Sequence, residues 1–288
     1  MIVNGKEMVK KAREGYYAIG AFTVGDYTTV EIVLQASEAL GTPVMLLTGD
    51  YANPDPESRR MSDWNAKNFT RFMRERCEAS PVPVVIHLDH CSTYEGCVRA
   101  IQYGATSVML DASMKPFEEN VAITKRVIEL ARSCNVNVEA EIGHVGGHAN
   151  STGEKYTTVE SAKAFYEATG VDMLAVSIGT VHGVYKSEPV IQYDLIKELR
   201  AAIPIPLVMH GSSGLTPDQF INSVKAGIVK INFATYLQLT AGEAMREMAL
   251  KAESGSVRMS PLIAAATKRG VEYLKEHIGY FGTKPVVS

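Results

Sequence analysis

Three histidines stand at or just after the ends of β-rich runs, where their side chains could bind a metal ion. They are His90, His182 and His210, and the last two are each followed by glycine. Neutral imidazole is a common zinc ligand, and three such ligands with one open position make a catalytic site. Flanking glycines let the backbone approach a ligand closely. A lone histidine there is more often a structural loop residue, but three of them favour a metal site.

Asp89 precedes His90 in the stretch His87-Leu88-Asp89-His90 and could act as an acid/base group. A carboxylate beside a metal-binding imidazole can move a proton on a metal-bound substrate. The alternative is that Asp89 only orients a histidine. Side chains alternate along a strand, so a regular strand would turn His90 away from the face shared by His87 and Asp89. Because alternation often fails at a strand end, we assign His90 as the ligand and His87 to packing or support.

Residues after the last two predicted strands could hold a phosphate. The stretches 210–214 (His-Gly-Ser-Ser-Gly) and 232–235 (Asn-Phe-Ala-Thr) combine glycine, hydroxyl and amide groups. In α/β barrels the loops after strands 7 and 8 usually bind phosphate through backbone N–H groups and hydroxyls. The same residue types also favour turns and helix caps, which is the alternative. The candidate donors are Gly211, Ser213, Asn232 and Thr235.

Acidic residues occupy the fourth and fifth predicted strands. Asp111 ends the fourth, and Glu139 and Glu141 share one face of the fifth. Two inward carboxylates destabilise a protein unless they are paired, hydrogen-bonded or bound to metal. They would therefore bind a cation or hold the histidine ligands in the required tautomer. A salt bridge to Lys230 on the eighth predicted strand is the alternative.

Eight β-rich runs alternate with segments of helical period and must position these side chains. Each gap is long enough for the crossover helix that parallel pairing requires. The predicted strands are Tyr17–Val24, Pro43–Thr48, Val82–His90, Ser107–Asp111, Asn137–Ile142, Met173–Ile178, Pro206–His210 and Ile228–Phe233. This pattern predicts an α/β protein with a single (β/α)8 TIM barrel, one domain over residues 1–288. The alternative, a doubly wound sheet, carries a G-x-G-x-x-G fingerprint that residues 20–25 lack.

Composition narrows the class of protein. The chain has 288 residues, 46% of them hydrophobic, and a net charge of −3, which gives no electrostatic reason to expect nucleic acid or an anionic membrane as partner. No apolar run approaches the ~20 residues that span a bilayer. The four cysteines form no C-x-x-C pair, and the N-terminus does not look like a signal peptide. We therefore expect reduced thiols and a cytoplasmic protein.

Taken together, these motifs resemble the class II, zinc-dependent ketose-bisphosphate aldolase family, of the fructose- and tagatose-bisphosphate type. The resemblance runs from about residue 3 to about residue 283 and is most specific at 87–90, 177–183, 210–213 and 230–235. It implies a lyase of carbohydrate metabolism, such as glycolysis, that reversibly cleaves a phosphorylated ketose to dihydroxyacetone phosphate and an aldehyde. It also implies a homodimer or homotetramer.

The resemblance assigns a role to each candidate residue. Asp89 would be the acid/base that acts on the C4 hydroxyl, and Zn2+ would be the cofactor, with a second divalent or monovalent cation left open. The expected metal ligands and their supports are His90, His182, His210, Asp111 and Glu141. The expected contacts to the dihydroxyacetone-phosphate half are Gly183, Gly211, Ser213, Asn232 and Thr235.

The chain departs from the family pattern in the lid. The usual Gly-Gly-x-Glu-Asp reads Gly-Gly-His-Ala-Asn at 146–150, so Ala149 replaces the glutamate that moves the C1 proton. His148 or Glu154 could substitute for it. The replacement motivates a second hypothesis, a catalytically weakened sugar-phosphate-binding protein on an aldolase scaffold. A metal-dependent barrel hydrolase ranks last, because residues 17–25 lack the His-x-His pair common in such enzymes.

Two further positions bear on the sugar. Ala234 matches the tagatose-type branch of the family, where many fructose-type members have Asp or Asn. In the family, an arginine from a neighbouring subunit often holds the far phosphate, and Arg258 and Arg269 are the candidates here.

Overall fold

The computed structural model describes residues 1–49, 63–143, 145, 155–251 and 256–286. Within these residues, eight parallel strands follow one another around a closed barrel, with the eighth paired to the first. They are β1 (Ile19–Thr23), β2 (Val44–Thr48), β3 (Val84–Cys91), β4 (Ser107–Leu110), β5 (Asn137–Ile142), β6 (Met173–Val176), β7 (Leu207–Met209) and β8 (Ile228–Phe233). The predicted (β/α)8 barrel is confirmed, and the doubly wound sheet was the wrong alternative.

Helices connect the strands and cover the barrel. They are α1 (Lys6–Gly15), α2 (Tyr27–Leu40), α3 (Asp63–Glu78), α4 (Tyr94–Tyr103), α5 (Phe117–Ser133), α6 (Val159–Thr169), α7 (Tyr193–Ala202), α8 (Pro217–Ala226), α9 (Thr235–Leu250) and α10 (Met259–Tyr280). After β8, α9 packs against α10, and α10 packs against α2. None of the helices in the described ranges is long and apolar enough to cross a bilayer.

Helix α8 illustrates how the sequence sets an element boundary. Thr216 caps its start by accepting from the Gln219 N–H, and the Gln219 side chain accepts from the Thr216 N–H in return. Pro217 suits the first turn because a helix leaves that N–H without a partner. Gly227 ends the helix with φ 135°, a backbone angle that favours glycine. Both ends of this helix are therefore set by residues of its own local sequence.

Alternation along the strands separates two apolar layers. On β5, Val138, Ala140 and Ile142 face the helices, in the larger cluster of buried apolar side chains. Glu139 and Glu141 face the barrel interior, as the alternation predicted. The interior is apolar at one end, where residues such as Met45 and Val85 pack together. It becomes polar toward the carboxyl ends of the strands.

Four strands end earlier than the sequence suggested, including β1, which stops at Thr23 instead of Val24. β4 stops at Leu110, β6 at Val176 and β7 at Met209, so Asp111 and His210 lie just past the ladder. The N–H of Ser177 bonds the Thr157 hydroxyl instead of continuing a strand ladder. The polar side chains at these ends are thereby placed on loops at the carboxyl face of the barrel.

Candidate active site

A β-bulge in β3 brings Asp89 and His90 to the same site. Leu88 and Cys91 are three residues apart, but their partners on β4 are only two apart, so β3 carries one extra residue. His90 takes a φ of 49°, in the left-handed region. A bulge of this kind bends the strand and re-aims a side chain. Strand alternation therefore fails at His90, as expected.

The three predicted histidines converge at the carboxyl face of the barrel. The ring centroids of His90 and His182 are 4.9 Å apart, those of His90 and His210 are 4.6 Å apart, and those of His182 and His210 are 5.8 Å apart. One ring nitrogen from each lies within 4.8 Å of the other two. His210 is fully buried, whereas His182 is exposed. The group could hold a small cation while leaving one side open.

Carboxylates fix the tautomers of two of these histidines. His90 Nδ1 lies 2.8 Å from Asp111 Oδ2, and His210 Nε2 lies 2.8 Å from Glu139 Oε1. An ionised carboxylate only accepts, so each contact places a proton on the nitrogen that faces it. In the neutral rings, the lone pairs of His90 Nε2 and His210 Nδ1 then face each other across 2.9 Å. A proton on one ring or a metal ion must therefore lie between these two nitrogens, so the pair is suited to binding a cation.

The charges around the histidines also favour a cation. Burial opposes protonation of His90, but the carboxylates of Asp89, Asp111 and Glu141 outweigh it and raise the pKa of His90 to about 10. Burial and the Asp111 charge raise the pKa of Glu141 to about 8. Burial and the positive charge of His90 lower the pKa of His210, which keeps that imidazole neutral. A metal ion would be the largest local charge in such a site and would offset the carboxylates.

Asp111 and Glu141 form a second group of potential ligands with His90, again with their atoms within 4.8 Å of one another. Glu141 Oε1 accepts from the Val145 N–H at 2.9 Å, and its Oε2 lies 3.9 Å from His210 Nδ1. Both carboxylates therefore lie where they could support a ligand or bind an ion themselves.

His87 lies in the barrel interior, away from the three converging rings. It is fully buried, and its Nδ1 lies 2.7 Å from the Ser107 hydroxyl. Its Nε2 lies 3.9 Å from Asp89 Oδ1 and 3.8 Å from Glu139 Oε2. Burial and the charge of Lys230 lower the pKa of His87. These contacts agree with the expectation that His87 packs and supports.

The start of α9 is capped by a residue from another loop of the site. The Ser213 hydroxyl accepts from the N–H of Ala234 at 3.2 Å and from the N–H of Thr235 at 3.1 Å. Ala234 is the N-cap residue and has no side-chain acceptor of its own, so Ser213 caps the helix from the loop after β7. The N–H groups at a helix start and the helix dipole make such a terminus favourable for an anion once the Ser213 hydroxyl gives way.

Residues of the histidine group and residues at the start of α9 line one cavity of about 200 Å³. Its lining includes Asp89, His90 and His182 together with the predicted contacts to the phosphate-bearing half: Gly183, Gly211, Ser213, Asn232 and Thr235. His210, Asp111 and Glu141 lie behind this wall, next to His90. Thr23, Ser212, Phe233 and Ala234 complete the lining.

Some sequence expectations fall elsewhere. The lid residues His148, Ala149, Asn150 and Glu154 lie outside the described residues. Arg269 pairs with Glu247, with Nη1 2.9 Å from Oε1, on the surface of α9 and α10.

Sequence patterns did not single out Tyr185, which joins two loops of the site. Its hydroxyl accepts from the Val181 N–H at 3.2 Å and donates to the Gly211 carbonyl at 2.5 Å. These loops carry His182 and His210. The sequence held one signal that could have found it: Tyr185 follows the candidate ligand His182 by three residues, in a glycine-containing segment that is not helical.

Comparisons with known proteins agree with this geometry. Residues 3–285 match the family described as class-II fructose-bisphosphate aldolase. The fructose-bisphosphate aldolase of Geobacillus stearothermophilus is 38% identical over 254 residues, covering 87% of this chain and 86% of the relative. That of Staphylococcus epidermidis is 36% identical over 287 residues, covering 98% of both chains.

Solved structures give the same picture. The crystal structure of the YdjI aldolase from Escherichia coli K12 matches with a TM-score of 0.86 at 31% identity, over 99% of this chain and 98% of that one. Fructose-bisphosphate aldolase from Campylobacter jejuni, at 23% identity, matches in fold with a TM-score of 0.82 over 98% of this chain and 95% of that one.

Proposed function

The chain belongs to the class-II fructose-bisphosphate aldolase family, and from that membership we propose that it reversibly cleaves a fructose- or tagatose-type ketose bisphosphate. The products would be dihydroxyacetone phosphate and an aldehyde. The observation that carries this proposal is the convergence of three imidazole nitrogens within 4.8 Å beside a cavity that Asp89 also lines.

His90, His182 and His210 would hold the metal, and Zn2+ is the proposed ion because three imidazoles and an open side suit it. When bound, zinc would supply a Lewis acid that draws electron density from the ketose carbonyl. Asp111 and Glu139 hold protons on His90 Nδ1 and His210 Nε2, so the nitrogens that would ligate the metal are His90 Nε2 and His210 Nδ1. Asp111 and Glu141, together with His90, offer an alternative position for an ion, so a second cation belongs to the proposal.

Asp89 is proposed as the group that moves the C4 hydroxyl proton. Its Oδ1 accepts from Asn232 Nδ2 at 2.9 Å, which leaves Oδ2 available to the substrate. The carboxylate would take the proton during cleavage and return it during condensation. Its position one residue before a proposed ligand keeps it near the reacting carbon atoms.

The start of α9 is proposed to hold the phosphate of the dihydroxyacetone-phosphate half. The N–H groups of Ala234 and Thr235 point to one spot, occupied by the Ser213 hydroxyl. Gly183 and Gly211 have φ of 88° and 64°, so their backbone takes conformations that bring N–H groups close to a ligand. Holding the phosphate would fix C2 and C4 relative to the metal and to Asp89.

A substrate panel tests the function. Zinc-loaded protein is assayed for triose-phosphate release from fructose and tagatose 1,6-bisphosphates and from the corresponding monophosphates. We expect release from at least one bisphosphate, loss of release with a chelator, and recovery when zinc is restored. Asp89→Asn should lower the rate by about 100- to 10,000-fold while zinc content stays the same. Equal rates for chelated and zinc-loaded protein would overturn the proposal.

The same panel addresses the sugar and the competing hypothesis. Ala234 favours a tagatose-type substrate, so we expect tagatose 1,6-bisphosphate to be cleaved at least as well as its fructose epimer. The weakened binding protein, suggested by Ala149, would bind dihydroxyacetone phosphate without exchanging its C1 proton for deuterium. Measurable exchange excludes that hypothesis. A homodimer or homotetramer, a single domain over 1–288 and a cytoplasmic location stay predictions.

A further inference from the structure

Lys230 is a buried charged residue to which the proposed mechanism assigns no role. It lies on β8 with no exposed surface. Its Nζ lies 2.8 Å from Glu139 Oε2 and donates to Asn232 Oδ1 at 2.7 Å. A buried ammonium group requires such partners, since an isolated charge in the interior is strongly unfavourable. The question is whether the lysine does more than neutralise Glu139.

The partners of Lys230 lead to the proposed acid/base and to a proposed metal ligand, and Asn232 Nδ2 also lies 3.3 Å from His210 Nε2. Through Asn232, whose Nδ2 donates to Asp89 Oδ1 at 2.9 Å, it reaches the proposed acid/base. Through Glu139, whose Oε1 lies 2.8 Å from His210 Nε2, it reaches a proposed metal ligand. The ammonium is therefore the junction of a continuous polar network beneath the cavity.

The Asn232 amide has one accepting end and one donating end, and the ammonium can only donate. Lys230 therefore selects the orientation in which Oδ1 faces the lysine and Nδ2 faces Asp89. That orientation occupies Asp89 Oδ1 and leaves Oδ2 to exchange the proton. Without the lysine, the Oδ1 of the buried Asn232 loses its donor, and the amide can rotate toward other partners.

We propose that Lys230 is a positioning residue, which fixes the Asn232 amide and thereby selects the Asp89 oxygen that exchanges the substrate proton. This inference rests on the proposed function for its kinetic consequence, but its geometric consequence can be measured without any substrate. It differs from a purely structural role, in which Lys230 only balances the charge of Glu139.

The double variant Lys230→Met/Glu139→Gln separates the two roles. It removes both charges together, so no unpaired charge is buried, and it keeps an amide oxygen that can accept from His210 Nε2. The single variant Lys230→Met leaves the Glu139 carboxylate buried without its cation and is expected to fold poorly. Lys6→Met is the matched control, because Lys6 pairs with Asp172 at 3.2 Å on a partly exposed surface away from the site.

The kinetic measurement compares the zinc-loaded proteins on the bisphosphate that the wild type cleaves best. We expect the double variant to keep the melting temperature, zinc content and KM of the wild type, with kcat lower by about 10- to 100-fold because Asp89 is misplaced. Lys6→Met should match the wild type in kcat. A double variant with a wild-type kcat would overturn the proposal, because full activity would then require only a balanced charge at this place and not the lysine itself.

Crystal structures of the zinc-loaded wild type and double variant give the second measurement. We expect the contact between Asn232 and Asp89 to be kept in the wild type and lost in the variant. A contact that persists in the variant overturns the proposal whatever the kinetics. If the wild type cleaves no sugar in the panel, the proposed function fails. The comparison of the two crystal structures still decides whether Lys230 positions Asn232.

Discussion

His90 and Asp111 form the contact that orients the first imidazole of the site, with Nδ1 2.8 Å from Oδ2. Asp111 is itself held by Ser113, whose N–H and hydroxyl both donate to Oδ1, at 3.1 and 2.7 Å. Burial opposes ionisation of Asp111, but the contact with His90 and then the bonds from Ser113 lower its pKa. The carboxylate is therefore ionised and rigid, and it fixes both the tautomer and the rotation of the His90 ring.

Replacing Asp111 by alanine should weaken metal binding. Loss of a carboxylate that orients a ligating histidine typically lowers metal affinity by about 10- to 100-fold. Zinc affinity, measured by competition with a chromophoric chelator, should fall by that factor in Asp111→Ala. Asp194→Ala is the control, because Asp194 is an exposed acid on α7 that pairs only with Lys197 among the described ion pairs. Equal affinities for all three proteins would contradict the role of Asp111.

Tyr185→Phe should loosen two loops at once. The substitution keeps the ring but removes the hydroxyl that bridges the Val181 N–H and the Gly211 carbonyl. The free energy of unfolding should fall by about 1 kcal/mol, the usual contribution of a hydrogen bond. Because these loops carry His182 and His210, the extra stability gained on adding zinc should also shrink. Urea unfolding with and without zinc measures both effects.

Tyr27→Phe is the matched control for that measurement. The Tyr27 ring is 61% exposed and packs against Phe69 and Phe72, contacts that phenylalanine keeps. Its unfolding curves should coincide with those of the wild type. If Tyr185→Phe behaves in the same way, the hydroxyl bridge does not hold the loops together.

Gly211→Ala should disrupt the loop after β7. A Cβ at this position would lie 2.5 Å from the Val181 carbonyl oxygen, and the residue has φ of 64°. The left-handed conformation alone destabilises a non-glycine residue by about 1–2 kcal/mol. Since backbone atoms cannot rotate away, Val181 and the adjacent His182 must also shift, and zinc affinity should fall together with stability.

Gly242→Ala serves as the comparison for Gly211→Ala, because a Cβ there meets no atom within 4 Å. It lies within α9, where alanine is preferred to glycine by about 1 kcal/mol. Its melting temperature should equal or exceed that of the wild type. A similar gain in Gly211→Ala would show that the loop has room for a side chain.

His277 should make stability depend on pH. Its ring packs between aromatic residues of the outer core, and burial lowers its pKa, opposed by the Tyr273 carbonyl and by Glu276. The unfolded chain then takes up a proton at a higher pH than the folded protein. Stability contributed by the neutral ring is thus complete above about pH 7 and falls as the pH drops through 6.5 toward the folded pKa.

The variant His277→Gln removes this pH-dependent contribution to stability. Urea unfolding at several pH values between about 5 and 8 should show a smaller loss of stability toward acid in the variant than in the wild type. The comparison cancels the contributions of the histidines in the site, which both proteins share. Parallel stability curves for the two proteins would contradict the prediction.

The sequence was sufficient for the barrel because its signals are local and repeated. Runs such as Val84–Ile86 are apolar on both faces, and signals such as Thr216 with Gly227 mark the two ends of a helix. Chain order then placed His90, His182 and His210 at one end of parallel strands. Their convergence followed from topology and required no knowledge of side-chain packing.

The remaining features depend on contacts between distant parts of the chain. The bulge at His90 appears only when β3 and β4 are aligned, because the extra residue is defined relative to the partner strand. The salt bridge of Lys230 with Glu139 was considered, but its second bond, to Asn232, depends on side-chain rotamers. Tyr185 was missed because its partners, Val181 and Gly211, belong to different strand ends.

The Ser213 hydroxyl competes with any incoming anion for the amides of Ala234 and Thr235, since both already donate to it. A ligand oxygen that enters there exchanges one acceptor for another and gains only the difference in bond strength. When the ligand leaves, both N–H groups again donate to the Ser213 hydroxyl, so neither is left without an acceptor. If the phosphate of the product binds here as proposed, this built-in competitor would limit how tightly the product is held and would favour its dissociation.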